Sequence, residues 1–221
     1  MSPSRSSARR GYAIAELLTV SVIMAMVSSF VVLIVGPIFA ASNAQAAKVD
    51  TLQAAAKAFY RMQRALHEST STGVYVCTYP APTTCSAPST IALADTSVIA
   101  IISPRKNGNG QVMFDPTGAP QYMGYDVYWL VPDANGTASL SYAFNDPTGG
   151  SIIPGVTQSV DAAVDNALAG TPTFVAQSIT DLQVGNFSST SRTIGLKMLA
   201  KAIEGTKTNE TSFESDTATR N

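Results

Sequence analysis

Arg9-Arg10-Gly11-Tyr12-Ala13-Ile14-Ala15-Glu16-Leu17-Leu18-Thr19-Val20 joins a short Ser- and Arg-rich leader, positions 1–11, to a long uncharged run. From position 17 to 47 there is no Asp, Glu, Lys, Arg or His. At ~1.5 Å per helical residue about 20 apolar residues cross the hydrocarbon core of a bilayer, so the run is long enough to span one. Arg5, Arg9 and Arg10 are the only charged side chains ahead of Glu16. The positive-inside rule keeps them in the cytoplasm and sends the remainder across. Glu16 is the exception in an otherwise apolar stretch. An ionised carboxylate in a span costs roughly 2.5–3.5 kcal/mol at the bilayer centre and less near its edge. A chain that needs only an anchor has no evident use for it.

A basic leader ending in Gly, an aromatic, a Glu four residues further on and an unbroken apolar run together resemble the class III signal of type IV prepilins. The resemblance implies that a membrane-embedded aspartyl peptidase cuts after Gly11 and methylates the new amine of Tyr12. Glu16 then stands as the acidic fifth residue of the mature chain. Tyr12 departs mildly from the family, which more often has Phe there, but keeps the ring. On this resemblance the chain is not an enzyme but a structural subunit, a minor pilin or pseudopilin. Its filament would belong to a type IV pilus, a type II secretion system or a DNA-uptake (competence) system.

The implied partners are other subunits through the N-terminal helix, the prepilin peptidase, the inner-membrane assembly platform, and the lipid bilayer before assembly. The implied location is the inner membrane, single-pass, with the C-terminal domain outside the cytoplasm. Pairing of Glu16 with the methylated amine of a neighbour would set helix register, since an unpaired charge in a dry filament core is strongly penalised. Thr19, Ser21, Ser28 and Ser29 offer small or hydroxylated positions for close helix approach. A competing reading comes from Asn43-Ala44-Gln45-Ala46-Ala47, which has the small-residue pattern of an ordinary signal peptidase site. Cleavage near Ala46 would release an exported binding or surface protein. The length of the apolar run and the position of Glu16 argue against that alternative.

Positions 43–68 continue as an amphipathic helix. Val49, Leu52, Ala56, Phe59 and Leu66 recur at helical spacing with Met62 alongside, while Lys48, Asp50, Lys57, Arg61 and Arg64 point mostly elsewhere. Pro37, after Gly36, predicts a kink or local melting. The organisation read from the sequence is a leader at 1–11, a membrane and assembly helix at 12–42, its amphipathic continuation at 43–68, and a β-rich domain at 69–221.

In that last region the composition shifts to Thr, Ser, Gly, Pro, Val and Tyr. Strands are expected at 73–77, 97–102, 111–114, 121–131, 138–145, 179–187, 193–202 and 211–217. Positions 161–168 read as a short helical or loop excursion. Pro132-Asp133-Ala134-Asn135-Gly136 predicts a hairpin turn, and Asp115-Pro116-Thr117-Gly118 is echoed by Asp146-Pro147-Thr148-Gly149 as turn chemistry. The fold class expected is α+β, a long N-terminal helix packed on a mainly antiparallel sheet. The helix end Arg61-Met62-Gln63-Arg64-Ala65-Leu66, the tyrosine-rich hairpin and the terminal Thr219-Arg220-Asn221 resemble larger minor subunits of the J/W type.

Cys77 and Cys85 are the only cysteines. In an exported domain they predict a disulfide, closing a local loop and stabilising by roughly 2–3 kcal/mol. Only 13% of residues are charged and the net charge is −1, which gives no global field toward nucleic acid. Arg105 and Lys106 read as an exposed basic loop, a weak footprint for DNA. One His and two Cys leave little material for a metal site, and no cofactor motif is present. His67 reads as solvated or capping.

Overall fold

The computed structural model describes residues 6–78, 83–86, 91–93, 97–133, 136–145, 159–185, 193–204 and 207–218, with the side chains of the first helix described from Ile14 onward. The repeated turn at 146–149 and the terminal tripeptide lie outside the described residues. The chain divides into two compact units, Met1–Ala47 and Lys48–Asn221. Helix α1, Ser6–Glu68, begins ahead of the expected start at Tyr12 and contributes to both. It contains Pro37 without a break, so the local melting anticipated there does not occur. Proline removes one backbone hydrogen bond, and the flanking bonds of a strongly apolar helix suffice to carry the turn.

In the second unit, a 3-10 turn at Ser71–Gly73 leads from α1 into nine strands among the described residues. These are β1 Val74–Thr78, β2 Cys85–Ser86, β3 Ile91–Leu93, β4 Ser97–Pro104, β5 Tyr122–Pro132, β6 Ala138–Asn145, β7 Thr173–Gly185, β8 Thr193–Glu204 and β9 Lys207–Ala218. They form one antiparallel sheet in the order β2-β1-β4-β5-β6-β7-β8-β9, with β3 paired to the C-terminal part of β7. A second helix, α2 (Val160–Ala169), precedes β7. The fold is α+β, as the sequence predicts.

The apolar face of α1 in this unit is turned relative to the one expected, since Ala56 is only half-buried while Ala55 and Ala58 are buried. Ala55, Ala58, Phe59, Met62 and Leu66 are buried and Leu52 packs against them, but Val49 is 49% exposed. Spacings of three and four residues along one stripe bring these positions onto a single face. They meet Val76, Ile99, Ile101, Tyr128, Leu140, Leu196 and Met198 on the sheet. The opposite sheet face buries Val98, Ala100, Ile102, Tyr125, Val127 and Trp129 against Val160, Ala163, Val164 and Ala167 of α2. The core of β4 is therefore covered on both sides, which is why it reads as an uninterrupted apolar run rather than an alternation.

The expected hairpin forms between β5 and β6, with Tyr128 opposite Tyr142 and Pro132 opposite Ala138. Gly136 closes its turn at φ +71°, a conformation glycine adopts without steric cost. The strand expected at 111–114 is not one. Residues 105–121 instead form a folded ribbon with isolated pairs Lys106–Val112 and Phe114–Pro120. Two Asx turns shape it. Asn107 Oδ1 accepts the Asn109 and Gln111 N–H groups, and Asp115 Oδ1 accepts those of Thr117 and Ala119.

Candidate functional site

In the first unit, every large apolar side chain along α1 from Ile14 to Phe39 is exposed, with Leu17 at 72% and Leu33 at 70%. Ile23, Met24, Met26 and Val27 follow one another around the helix, so the surface is apolar on all sides and not along one stripe. Among the described residues one helix is long and apolar enough to cross a membrane, and its most apolar window has none of its surface buried. So much contiguous apolar surface is costly to leave in water.

Three hydroxyls in this stretch, those of Thr19, Ser21 and Ser29, bond back to the helix's own carbonyls. Thr19 Oγ1 lies 3.1 Å from the Ala15 carbonyl and 2.9 Å from that of Glu16. Ser21 donates to the Leu18 carbonyl at 2.8 Å, and Ser29 to the Ala25 carbonyl at 2.9 Å. Such back-bonding lets a hydroxyl enter an apolar medium without a lost hydrogen bond. Glu16 has no equivalent device. It is the only ionisable side chain from Ile14 to Ala47, and it is exposed. The backbone at Gly11 and Tyr12 is helical.

In the second unit, Cys77 and Cys85 form a disulfide across the β1–β2 pair, with Cα atoms 4.0 Å apart. The end of that loop is held by α2. The Cys85 N–H donates to Asp161 Oδ1 at 2.9 Å and the Thr83 hydroxyl to the Asp161 carbonyl at 3.1 Å. The Thr83 N–H reaches Asp165 Oδ1 at 3.4 Å. Asp161 lies in the first turn of α2, where a carboxylate also favours the helix dipole.

The expected basic loop is not a free one. Lys106 Nζ lies 2.6 Å from Glu68 Oε2, and Arg64 Nε lies 3.0 Å from Glu68 Oε1. Arg105 and Lys106 are both half-buried. Partial burial pushes the Glu68 carboxyl up, but the hydrogen bonds and charges of Lys106 and Arg64 outweigh it and hold it below the usual carboxylate range. His67 is exposed, as expected of a solvated residue.

Sequence reasoning missed Asp126. This carboxylate sits on β5 and accepts the Tyr142 hydroxyl at 2.7 Å, while the Arg61 guanidinium lies 3.8 Å from the Tyr142 ring centre. Burial raises the Asp126 pKa, and it lifts Tyr142 to about 12 with the Asp126 charge adding to the effect. The only signal was a lone Asp inside the aromatic run of β5. Among the described residues no group of three or more His, Cys, Asp or Glu side chains converges as a metal site. Comparison with protein-family models, curated proteins and solved structures finds no match.

Proposed function

We propose that this chain is an assembly subunit of the pilin or pseudopilin kind, and not an enzyme. The observation that carries the reading is the helix itself: apolar on every side over positions 14–47, with Glu16 as the single charge there. Before assembly the helix resides in the inner membrane with the sheet domain outside the cytoplasm. The prepilin peptidase cuts between Gly11 and Tyr12, which requires local unwinding of α1. Gly11 helps there, since glycine weakens a helix interior by about 1 kcal/mol relative to Ala.

The methylated Tyr12 amine remains cationic and pairs with Glu16 of a neighbouring subunit as the helix passes from lipid into a helical bundle. Lipid contacts are then replaced by helix packing, and the carboxylate changes from a cost into a register mark. The inner-membrane assembly platform and other subunits are the partners of this step. Resemblance of the helix end and the tyrosine hairpin to J/W-type minor subunits favours a priming or capping role over that of a major subunit. Engagement of Lys106 with Glu68 weakens the case for DNA as a partner.

The test is the N-terminal residue and mass of the mature chain from native membranes. A methylated Tyr12 start supports the reading. A start near Ala47 overturns it in favour of an exported domain released by ordinary signal peptidase.

A further inference from the structure

Strand β9 ends the sheet path, and among the described residues it pairs on one side only, with β8. It is 12 residues long, roughly 40 Å of strand whose alternate backbone N–H and C=O groups face away from β8. Exposure alternates along it. Thr211, Phe213, Ser215 and Thr217 are buried or half-buried, while Glu210, Ser212, Glu214 and Asp216 are exposed.

The helix lies over the inward set. Phe59 and Phe213 have ring centres 5.7 Å apart, and Gln63 Nε2 donates to Ser215 Oγ at 2.7 Å. Beside these contacts a cleft of about 340 Å³ remains, lined by Tyr60, Gln63, Arg64, His67, Asp216 and Thr217. Thr217 is only 4% exposed, and its hydroxyl has no hydrogen-bond partner. A buried orphan hydroxyl at a cleft wall is a group for which an incoming polar atom would restore a lost bond.

We propose that the free edge of β9 receives an extended segment of another polypeptide, basic at alternate positions, which adds to the sheet as a further strand and occupies the cleft beside α1. Backbone pairing on an open edge supplies the affinity of such strand addition, and alternate side chains supply the selectivity. The charge pattern selects the occupant. Lys201 and Lys197 of β8 stand opposite Glu210 and Glu214, but Asp216 stands opposite Gly195. The cleft-lining carboxylate therefore lacks a cation across the β8 side, and its remaining cross-strand place is on the open edge. A second copy of β9 in antiparallel pairing would bring carboxylate against carboxylate, which is destabilising directly across strands. A lysine- or arginine-bearing strand meets attraction instead, most of all at Asp216, which has no lysine opposite it on β8. This inference concerns the sheet domain alone and does not depend on the assembly role of α1.

Amide hydrogen exchange of the full chain in detergent micelles tests it with three ten-residue probes. One alternates Thr and Lys, one alternates Thr and Glu, and one is the Thr–Lys peptide N-methylated along the edge that would pair. The Thr–Lys peptide is expected to slow exchange of the outward amides of β9 at least tenfold, with no slowing by the other two. The double variant Glu214→Lys/Asp216→Lys, altered only at exposed positions, is expected to reverse the preference toward the Thr–Glu peptide. Absence of slowing by any peptide would overturn the proposal. So would equal slowing by the N-methylated peptide, which would show charge attraction without strand pairing. Protection of β9 that grows with protein concentration in the absence of peptide would assign the edge to a second copy and also overturn it.

Discussion

Lys106 Nζ lies 2.6 Å from Glu68 Oε2, tying the ribbon after β4 to the last turn of α1 across 38 residues of sequence. Arg64 completes the cluster from one helical turn away. Because the Glu68 pKa is lowered in the fold, its contribution is present above the ordinary carboxylate pKa and lost as pH falls through the lowered value. Lys106→Met is therefore expected to cost about 1 kcal/mol at neutral pH, a modest figure for a partly exposed pair. The difference from the parent should vanish in acid. Denaturant unfolding followed by Trp129 fluorescence at several pH values checks both the size and the sign.

Asp126 behaves in the opposite sense. Burial raises its pKa, so its ionisation opposes folding, and stability falls as pH rises through the interval between the ordinary and raised values. Asp126→Asn keeps an acceptor for the Tyr142 hydroxyl while removing the charge. The variant should match the parent in acid and equal or exceed it at neutral pH. A neutral-pH loss larger than the acid loss would show that the Arg61 and Lys106 charges outweigh the burial of the carboxylate.

The amphipathic stripe of α1 makes a sharper prediction about packing. Met62 is fully buried, whereas Val49, an apolar residue of similar promise in sequence, is half exposed. Met62→Ala is expected to cost 2–5 kcal/mol in transfer and cavity terms, roughly. Val49→Ala should change stability by less than ~0.5 kcal/mol. The same unfolding measurement on the two variants separates the stripe seen in the fold from the one that periodicity suggested.

The disulfide and α2 form one local unit, because Asp161 receives the Cys85 N–H beside the bridge. Closing a loop of this size stabilises by about 2–3 kcal/mol through the unfolded chain, and Cys77→Ser with Cys85→Ser should lose that amount. Asp161→Ala should cost about 1–2 kcal/mol by leaving a backbone donor unmet. Both changes should speed amide exchange in α2 before it speeds in β8 and β9. Equal acceleration throughout the sheet would mean that α2 has no separate dependence on the loop.

What could be read in sequence was what depends on neighbours along the chain. The apolar run, the helix continuation, the β5–β6 hairpin at Pro132 to Gly136 and the Cys77–Cys85 bridge all have local signals. Positions 161–168 were ambiguous because Val160, Ala163, Val164 and Ala167 show one buried face over barely ten residues. The two-residue β2 and three-residue β3 are too short for alternation to mark them. Residues 111–114 carry strand-like composition, but Asn107 and Asp115 side chains compete for the backbone donors and fold the segment into turns. Asp126 with Tyr142, Lys106 with Glu68 and Gln63 with Ser215 are set by tertiary packing, which no periodicity encodes. Glu16, by contrast, stands out in sequence because nothing else in its surroundings is charged.

That isolation yields the prediction most specific to function. Glu16 and the sheet domain belong to different compact units, so Glu16→Ala should leave Trp129-monitored unfolding within ~0.5 kcal/mol of the parent. Membrane insertion should improve slightly, since a carboxylate is removed from the apolar run. On the assembly reading, incorporation into filaments should nevertheless fall sharply, because the cationic amine of a neighbour's Tyr12 loses its partner in a dry helical bundle. A helix that served only as an anchor would show the first two effects without the third. Quantifying the variant in sheared filament and membrane fractions decides between these roles, and undiminished recovery in filaments would remove the register function of Glu16.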